Sequence, residues 1–289
     1  MATDRDTAHP REQPKSPIGR VTETLTDISH RIGMKRILAV YVVLISIYIY
    51  LPMLSLIAFS FNEGGLTFPF VDFSLQWYVE LLESEDIIAA VRRSLELAFV
   101  TMIITTVLAT MTVLAYRHEF TGRRAVLYLL LLGIITPGIT YGIGSTLFLN
   151  ELLGLSKGLW LAISVHVVWT LPFAVIVLLA GIPPNLPQNE QAARVLGADE
   201  ITVFREIILP QIAPTVLGAA VFAFTLSYNE ATRSLLLVGR QNTMPIQVFS
   251  IASSRRVTPE LFALGSITTI VSTLLLVIAG GLVLYRSRN

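Results

Sequence analysis

Long apolar runs alternate with short polar links along the chain, at about 37–61, 91–116, 125–149, 159–182, 213–238 and 262–285. A helix that crosses the hydrocarbon core of a bilayer needs roughly 20 mostly apolar residues, and each run supplies them. No soluble core strings together so many runs of that length. The pattern predicts an all-α polytopic membrane protein with six transmembrane helices. Residues 1 to about 30, beginning MATDRDTAHPREQPKSPIGR, are polar and proline-rich with no apolar periodicity. They predict an unstructured cytoplasmic tail and not a signal peptide. A transmembrane domain is expected over 31–289.

Lys and Arg in short loops mark the cytoplasmic side. Arg31, Lys35 and Arg36 precede the first run, and Arg117, Arg123 and Arg124 lie between the second and third. Arg194 and Arg205 lie between the fourth and fifth, and Arg286 and Arg288 follow the sixth. With six spans, all four groups share one side. The link over 62–91 has no Lys or Arg but carries Glu63, Asp72, Glu80, Glu83, Glu85 and Asp86; Lys157, Arg240, Arg255 and Arg256 run against the bias. Both termini, and the link before the fifth span, are expected on the cytoplasmic side of the cytoplasmic (inner) membrane. Pro52, Thr136-Pro137-Gly138 and Leu171-Pro172 interrupt three of the runs. Each predicts a kink, through ordinary packing or along a lined pathway.

The link between the fourth and fifth runs, about 183–212, is unlike the others. Its core, EQAARVLGADEITVFREIILP, is polar, charged and helix-forming. Gln191–Leu196 suits a helix, and Gly197 suits the left-handed position that ends one. Asp199 can cap a second helix over Glu200–Ile208, which Pro210 is expected to close. Ala192 and Ala193 leave a low-relief surface beside the apolar Val195, Leu196, Phe204, Ile207 and Ile208. These residues alone permit a docking surface for another protein or a rigid connector between spans.

The segment resembles the EAA loop of ABC-importer permeases, whose pattern is E-A-A, three residues, G, and a longer stretch ending in L-P. Ala192, Ala193, Gly197, Leu209 and Pro210 match it in spacing. FSLQWYVELL, RHEFTGRR, LPFAV and SIASSRRVTPELFAL extend the resemblance over most of the chain, from about residue 37, to the permeases of spermidine/putrescine-type importers. They are most similar to the second of that system's two permease subunits. The resemblance implies a type I importer: two different permeases, an ATP-hydrolysing dimer and an external substrate-binding protein. It also implies that Gln191, Ala192, Ala193, Gly197, Phe204, Leu209 and Pro210 form the coupling helix that sits in a cleft of the ATPase. One position departs from the pattern. The family's glutamate is Gln191 here, and Glu190 lies one residue earlier, about 100° around the helix.

Composition narrows the chemistry. The chain is 53% hydrophobic and 14% charged, with mean hydropathy +0.67, against about 25% charged in soluble domains. A net charge of +1 argues against a basic face for nucleic acid. There is no cysteine, so there is no disulfide, thiolate or Cys-ligated metal, and no His/Asp/Glu spacing resembles a metal site. No G-x-x-x-x-G-K-[ST] loop occurs, so ATP and Mg are expected on the partner, with no cofactor and no enzymatic site on this chain.

Ionisable groups inside a span are functional candidates. Glu96 in the second run and Glu230 in SYNEATRSLL qualify, with Trp169, Tyr228 and Asn229 as further candidates for a substrate path and His166 as a weaker one. The resembling polyamine permeases tend to carry paired aspartates where this chain has Asn229-Glu230. Arg92 stands four residues before Glu96, and Arg233 three after Glu230, so each acid can instead pair with an arginine. The expected solute is polyamine-like, or a related amine or zwitterion. A channel or secondary transporter working without an ATPase is the alternative; it has no use for a glycine-hinged docking helix.

Overall fold

A computed structural model of the chain describes residues 34–65, 68–254 and 259–288. The tail expected over 1–30, Arg255 and Arg256 lie outside them. The helices are α1 (Met34–Phe59), α2 (Gln76–Glu83), α3 (Glu85–Tyr116), α4 (Arg123–Ile135) and α5 (Gly138–Thr146). There follow α6 (Leu159–Ala180), α7 (Leu186–Val195), α8 (Glu200–Tyr228), α9 (Met244–Ser253) and α10 (Pro259–Arg288). Four of these, α1, α3, α6 and α8, are long and apolar enough to cross a bilayer. α4 and Gly138–Leu152 form a pair bent by 106° that is together long and apolar enough for one broken span or a re-entrant loop. The sixth expected run falls within α10.

The described residues divide into two units between Ser55 and Leu56. The first is most of α1, apolar on every face, with Pro52 inside the helix. Its serines are satisfied locally: Ser46 Oγ donates to the Val42 carbonyl at 2.8 Å and Ser55 Oγ to the Pro52 carbonyl at 2.7 Å. In lipid, a hydroxyl without such a partner is costly.

In the second unit, α3, α6 and α8 pack against one another, and α10 packs on α8. Lipid is as apolar as leucine, so helices in a bilayer associate through close packing and hydrogen bonds. The sequence provides for both. Small residues recur at helical spacing on the buried faces: Ala98, Thr101, Thr105 and Ala109 on α3; Ala162, Thr170 and Ala174 on α6, with His166 between them; Ala219, Ala223 and Ser227 on α8. Thr105 Oγ1 and Thr170 Oγ1 are 2.7 Å apart, and His166 Nδ1 is 2.8 Å from Ser227 Oγ. The opposite face of α3 presents Phe99, Ile103, Val107 and Met111 outward.

The three proline sites behave differently. Pro52 and Pro172 sit inside continuous helices. At the third, Thr136 is extended (φ −65°, ψ 124°) and the span breaks, as expected for a residue driven out of the helical region by the proline after it. At Pro172, Gly133 of α4 allows close approach: a Cβ there would lie 3.4 Å from the Val168 carbonyl oxygen.

Two sequence expectations about the fifth span need correction. The helix ends at Tyr228 and not near 238. Pro210 does not close a helix either. Residues Val203–Ile208 form a π turn, and α8 runs through Leu209-Pro210 without a stop. The wider turn accommodates a proline that lacks an N–H.

Overpacking the seam should be costly. Ala219→Leu is expected to destabilise the protein by about 1–3 kcal/mol, read as earlier thermal loss of the monodisperse peak in detergent. Phe99→Leu, on the outward face, should leave that peak unchanged.

Candidate coupling surface and substrate path

The insert is tied to the bundle along one face of α7. Leu186 is fully buried against Val203, Ile208 and Ile212, with Ala193 and Ala198 at the edge of the cluster. Glu190, on the same face, accepts a hydrogen bond from Arg117 in the link after α3. Asn189 Nδ2 donates to Gln211 Oε1 at 3.0 Å, joining α7 to α8. Glu190 is therefore turned inward. Gln191, the position that carries the family glutamate, is exposed.

The turn between α7 and α8 is fixed by local bonds. Gly197 has φ +88°, and the backbone N–H groups of Gly197 and Ala198 donate to the carbonyls of Arg194 and Ala193 at 3.0 Å each. That pairing is the Schellman arrangement, which places glycine at the left-handed position. Nothing lies within 4 Å of a Cβ built there, so the requirement is conformational and not steric. Asp199 caps α8 by accepting from the Thr202 N–H at 3.0 Å. Arg194 grips both carboxylate oxygens of Glu200, one of them at 2.9 Å. Hydrogen bonding from Thr202 holds the Asp199 carboxyl below its ordinary range.

At its tip this frame presents apolar side chains outward. Val195 and Leu196 are each 87% exposed. Ile201 is exposed, and Phe204 less so. Ala192, Leu209 and Pro210 are also exposed, whereas Ala193 is half-buried. Beside α7 lies an open cavity of about 740 Å³, lined by Arg117, Pro183, Pro187, Gln191, Arg194 and Glu200 among others. The sequence named the apolar pair Val195-Leu196, but the Arg117–Glu190 tie that aims it was not legible.

The substrate-path candidates separate into two groups. Glu96 is half-exposed on α3 and pairs with Arg92, Nε to Oε1, at 3.3 Å. Trp169 and Glu230 are brought together by Arg233. Its Nη1 donates to Glu230 Oε2 at 2.7 Å, its guanidinium carbon stands 3.5 Å from the Trp169 ring centroid, and Nη2 reaches the Thr136 carbonyl at 3.4 Å. Glu230 Oε1 also accepts from the Arg233 backbone N–H at 3.0 Å and from Thr232 Oγ1 at 2.8 Å. Glu230 lies in the turn after α8, not within a helix, and the pair is buried, with side chains 8% and 9% exposed. Tyr228 is buried and stacks on Phe224, with ring centroids 6.0 Å apart. Asn229 is exposed and donates to the Thr225 carbonyl at 2.9 Å. His166 belongs to the helix seam. The turn also packs on the start of α5, beside the break: a Cβ on Gly138 would collide with Thr232 Oγ1, and one on Gly142 would lie 2.7 Å from the Arg233 carbonyl oxygen.

This arrangement of helices matches known transporters. The chain superposes with TM-score 0.66 on a chain of a bacterial ABC transporter involved in the import of the acidic polysaccharide alginate, covering 90% of this chain and 98% of that one at 19% identity. The fold is shared with that ABC-transporter chain. No protein-family model matches the chain. Among curated proteins, it is 31% identical over 234 residues to the spermidine/putrescine transport system permease protein PotC of Haemophilus influenzae, spanning 80% of this chain and 90% of that one. Against PotC of Escherichia coli K12 the identity is 32% over 238 residues, 82% of this chain and 89% of that one. The chain belongs to the family of spermidine/putrescine-type ABC-transporter permeases.

Two buried contacts can be checked directly. Arg117→Ala leaves Glu190 buried without its cation, a loss expected to cost about 3 kcal/mol. It should expose the insert to limited proteolysis, and Arg117→Met with Glu190→Leu should restore resistance. Gly142→Ala should separate the bent span from the turn at Arg233, with a lower melting temperature at intact sequence-wide expression.

Proposed function

We propose that the chain is one of two permease subunits in an ATP-driven importer and moves a small amine or zwitterion delivered by an external binding protein. The observation that carries this reading is the braced insert. A two-helix projection held by a Schellman turn, an aspartate cap and two ion pairs, with Val195 and Leu196 outward, is built to transmit force at a protein surface. In this reading both termini and the insert are cytoplasmic, and six spans cross the inner membrane. Gln191, Ala192, Ala193, Gly197, Phe204, Leu209 and Pro210 form the coupling region, in a cleft of an ATP-hydrolysing dimer. Gly197 sets the turn, and Leu209-Pro210 continues it into the fifth span. ATP and Mg reside on the dimer, and this chain carries out no chemistry of its own. Relatives named for spermidine and putrescine transport support the amine class. Trp169, Tyr228, Asn229 and Glu230 line the route in this reading, with Glu96 on α3 as an outlying contact.

A second reading of the solute is favoured by one observation. The Glu230 carboxylate already accepts from Arg233 and Thr232, so a zwitterion fits this region as well as a polyamine does.

Co-purification in mild detergent from the native host should recover an ATPase, a second permease and a binding protein. Leu196→Asp, placed on the exposed tip, should leave folding intact and reduce ATP-driven uptake at least tenfold. A chain that purifies alone and moves solute in liposomes would overturn the importer reading.

A further inference from the structure

A carboxylate beside an aromatic face is the chemistry that takes an ammonium group, through charge and cation–π attraction together. Glu230 and Trp169 provide both, but the place is taken. The Arg233 guanidinium lies 3.5 Å from the Trp169 centroid while Nη1 holds Glu230 Oε2 at 2.7 Å. The second oxygen of Glu230 is occupied by the Arg233 N–H and Thr232 Oγ1. Thr136, whose carbonyl accepts from Nη2, lines a cavity of about 520 Å³. Thr140, Tyr141, Ser145 and Ser164 line it too, within a mostly apolar wall that includes Phe148, Leu149, Val165 and Val168. The cluster beside this hydroxyl-bearing cavity carries one negative and one positive group.

We propose that Arg233 is a tethered occupant of a cation site, and that it makes this permease pass solutes of zero net charge in preference to polycations. The inference rests on the importer reading and narrows its substrate class. A polycation entering here must displace a guanidinium attached to the protein itself, at a high effective concentration. A solute of zero net charge gains no net attraction from the bare carboxylate, so it loses less than a polycation does when Arg233 stays in place.

The test uses the whole complex in liposomes, with its own binding protein purified in loaded form, and reads binding-protein-stimulated ATP hydrolysis. Spermidine is the competing polycation probe. Wild type should be insensitive to millimolar spermidine. Arg233→Gln frees the carboxylate and the ring, and its half-inhibitory concentration should fall roughly tenfold or more. Arg233→Lys keeps a charge but loses the planar stack, and should fall between. The double variant Glu230→Gln/Arg233→Gln removes both charges and should be insensitive again. If Arg233→Gln fails to assemble, Arg233→Lys and the double variant decide. Inhibition of wild type at the concentrations that inhibit Arg233→Lys or Arg233→Gln would overturn the proposal. So would a double variant as sensitive as Arg233→Gln, or single variants as insensitive as wild type. Failure of the importer reading looks different: binding protein would stimulate hydrolysis in no form, wild type included.

Discussion

Helices in a bilayer have no water to escape from, so contact between them must come from close approach and from hydrogen bonds that lipid cannot offer. The seam between α3, α6 and α8 meets that constraint. Alanine, serine and threonine recur at helical spacing on the facing surfaces, and the hydroxyls that result are used across the helices at Thr105–Thr170 and His166–Ser227. On α3 the large side chains Phe99, Ile103, Val107 and Met111 are turned outward, where lipid accepts them.

Two ion pairs, one partly buried and one buried, stand toward opposite ends of α8, and both fasten irregular chain to the bundle. Arg117–Glu190 holds the insert before the helix, and Arg233–Glu230 holds the turn after it. Buried pairs seldom add net stability, since desolvation of both charges offsets their attraction. Their value here is positional. The first aims the Val195-Leu196 tip, and the second seats the turn beside the break of the bent span while stacking on Trp169. In this account coupling surface and substrate route are joined by one 29-residue helix whose ends are both fixed.

Much of this was legible in the apolar pattern. The starts of the runs, the glycine-hinged insert and the aspartate cap all follow from local rules, which need only neighbours in sequence. What was not legible depends on distant partners. Pro172 and Pro137 look alike in sequence, yet only the second breaks its span. Pro210 reads as a stop until a π turn absorbs it. Spacing set Glu190 and Gln191 about 100° apart, but which of them turns inward depends on Arg117, in another link. Glu230–Arg233 pairing was readable at i+3, whereas the stack on Trp169 was not. Apolar character past residue 228 suggested more helix, because a buried turn and a buried span carry the same composition.

The chain has no cysteine, so a single one can report on the coupling tip without background. The most direct measurement places it at Leu196 and asks, by cross-linking in native membranes followed by mass spectrometry, what it meets. The account predicts one dominant product with an ATP-hydrolysing subunit, whose yield changes with nucleotide. A cysteine at Leu196 that stays free to react with a soluble thiol reagent in every nucleotide state, while the complex is intact, would contradict it.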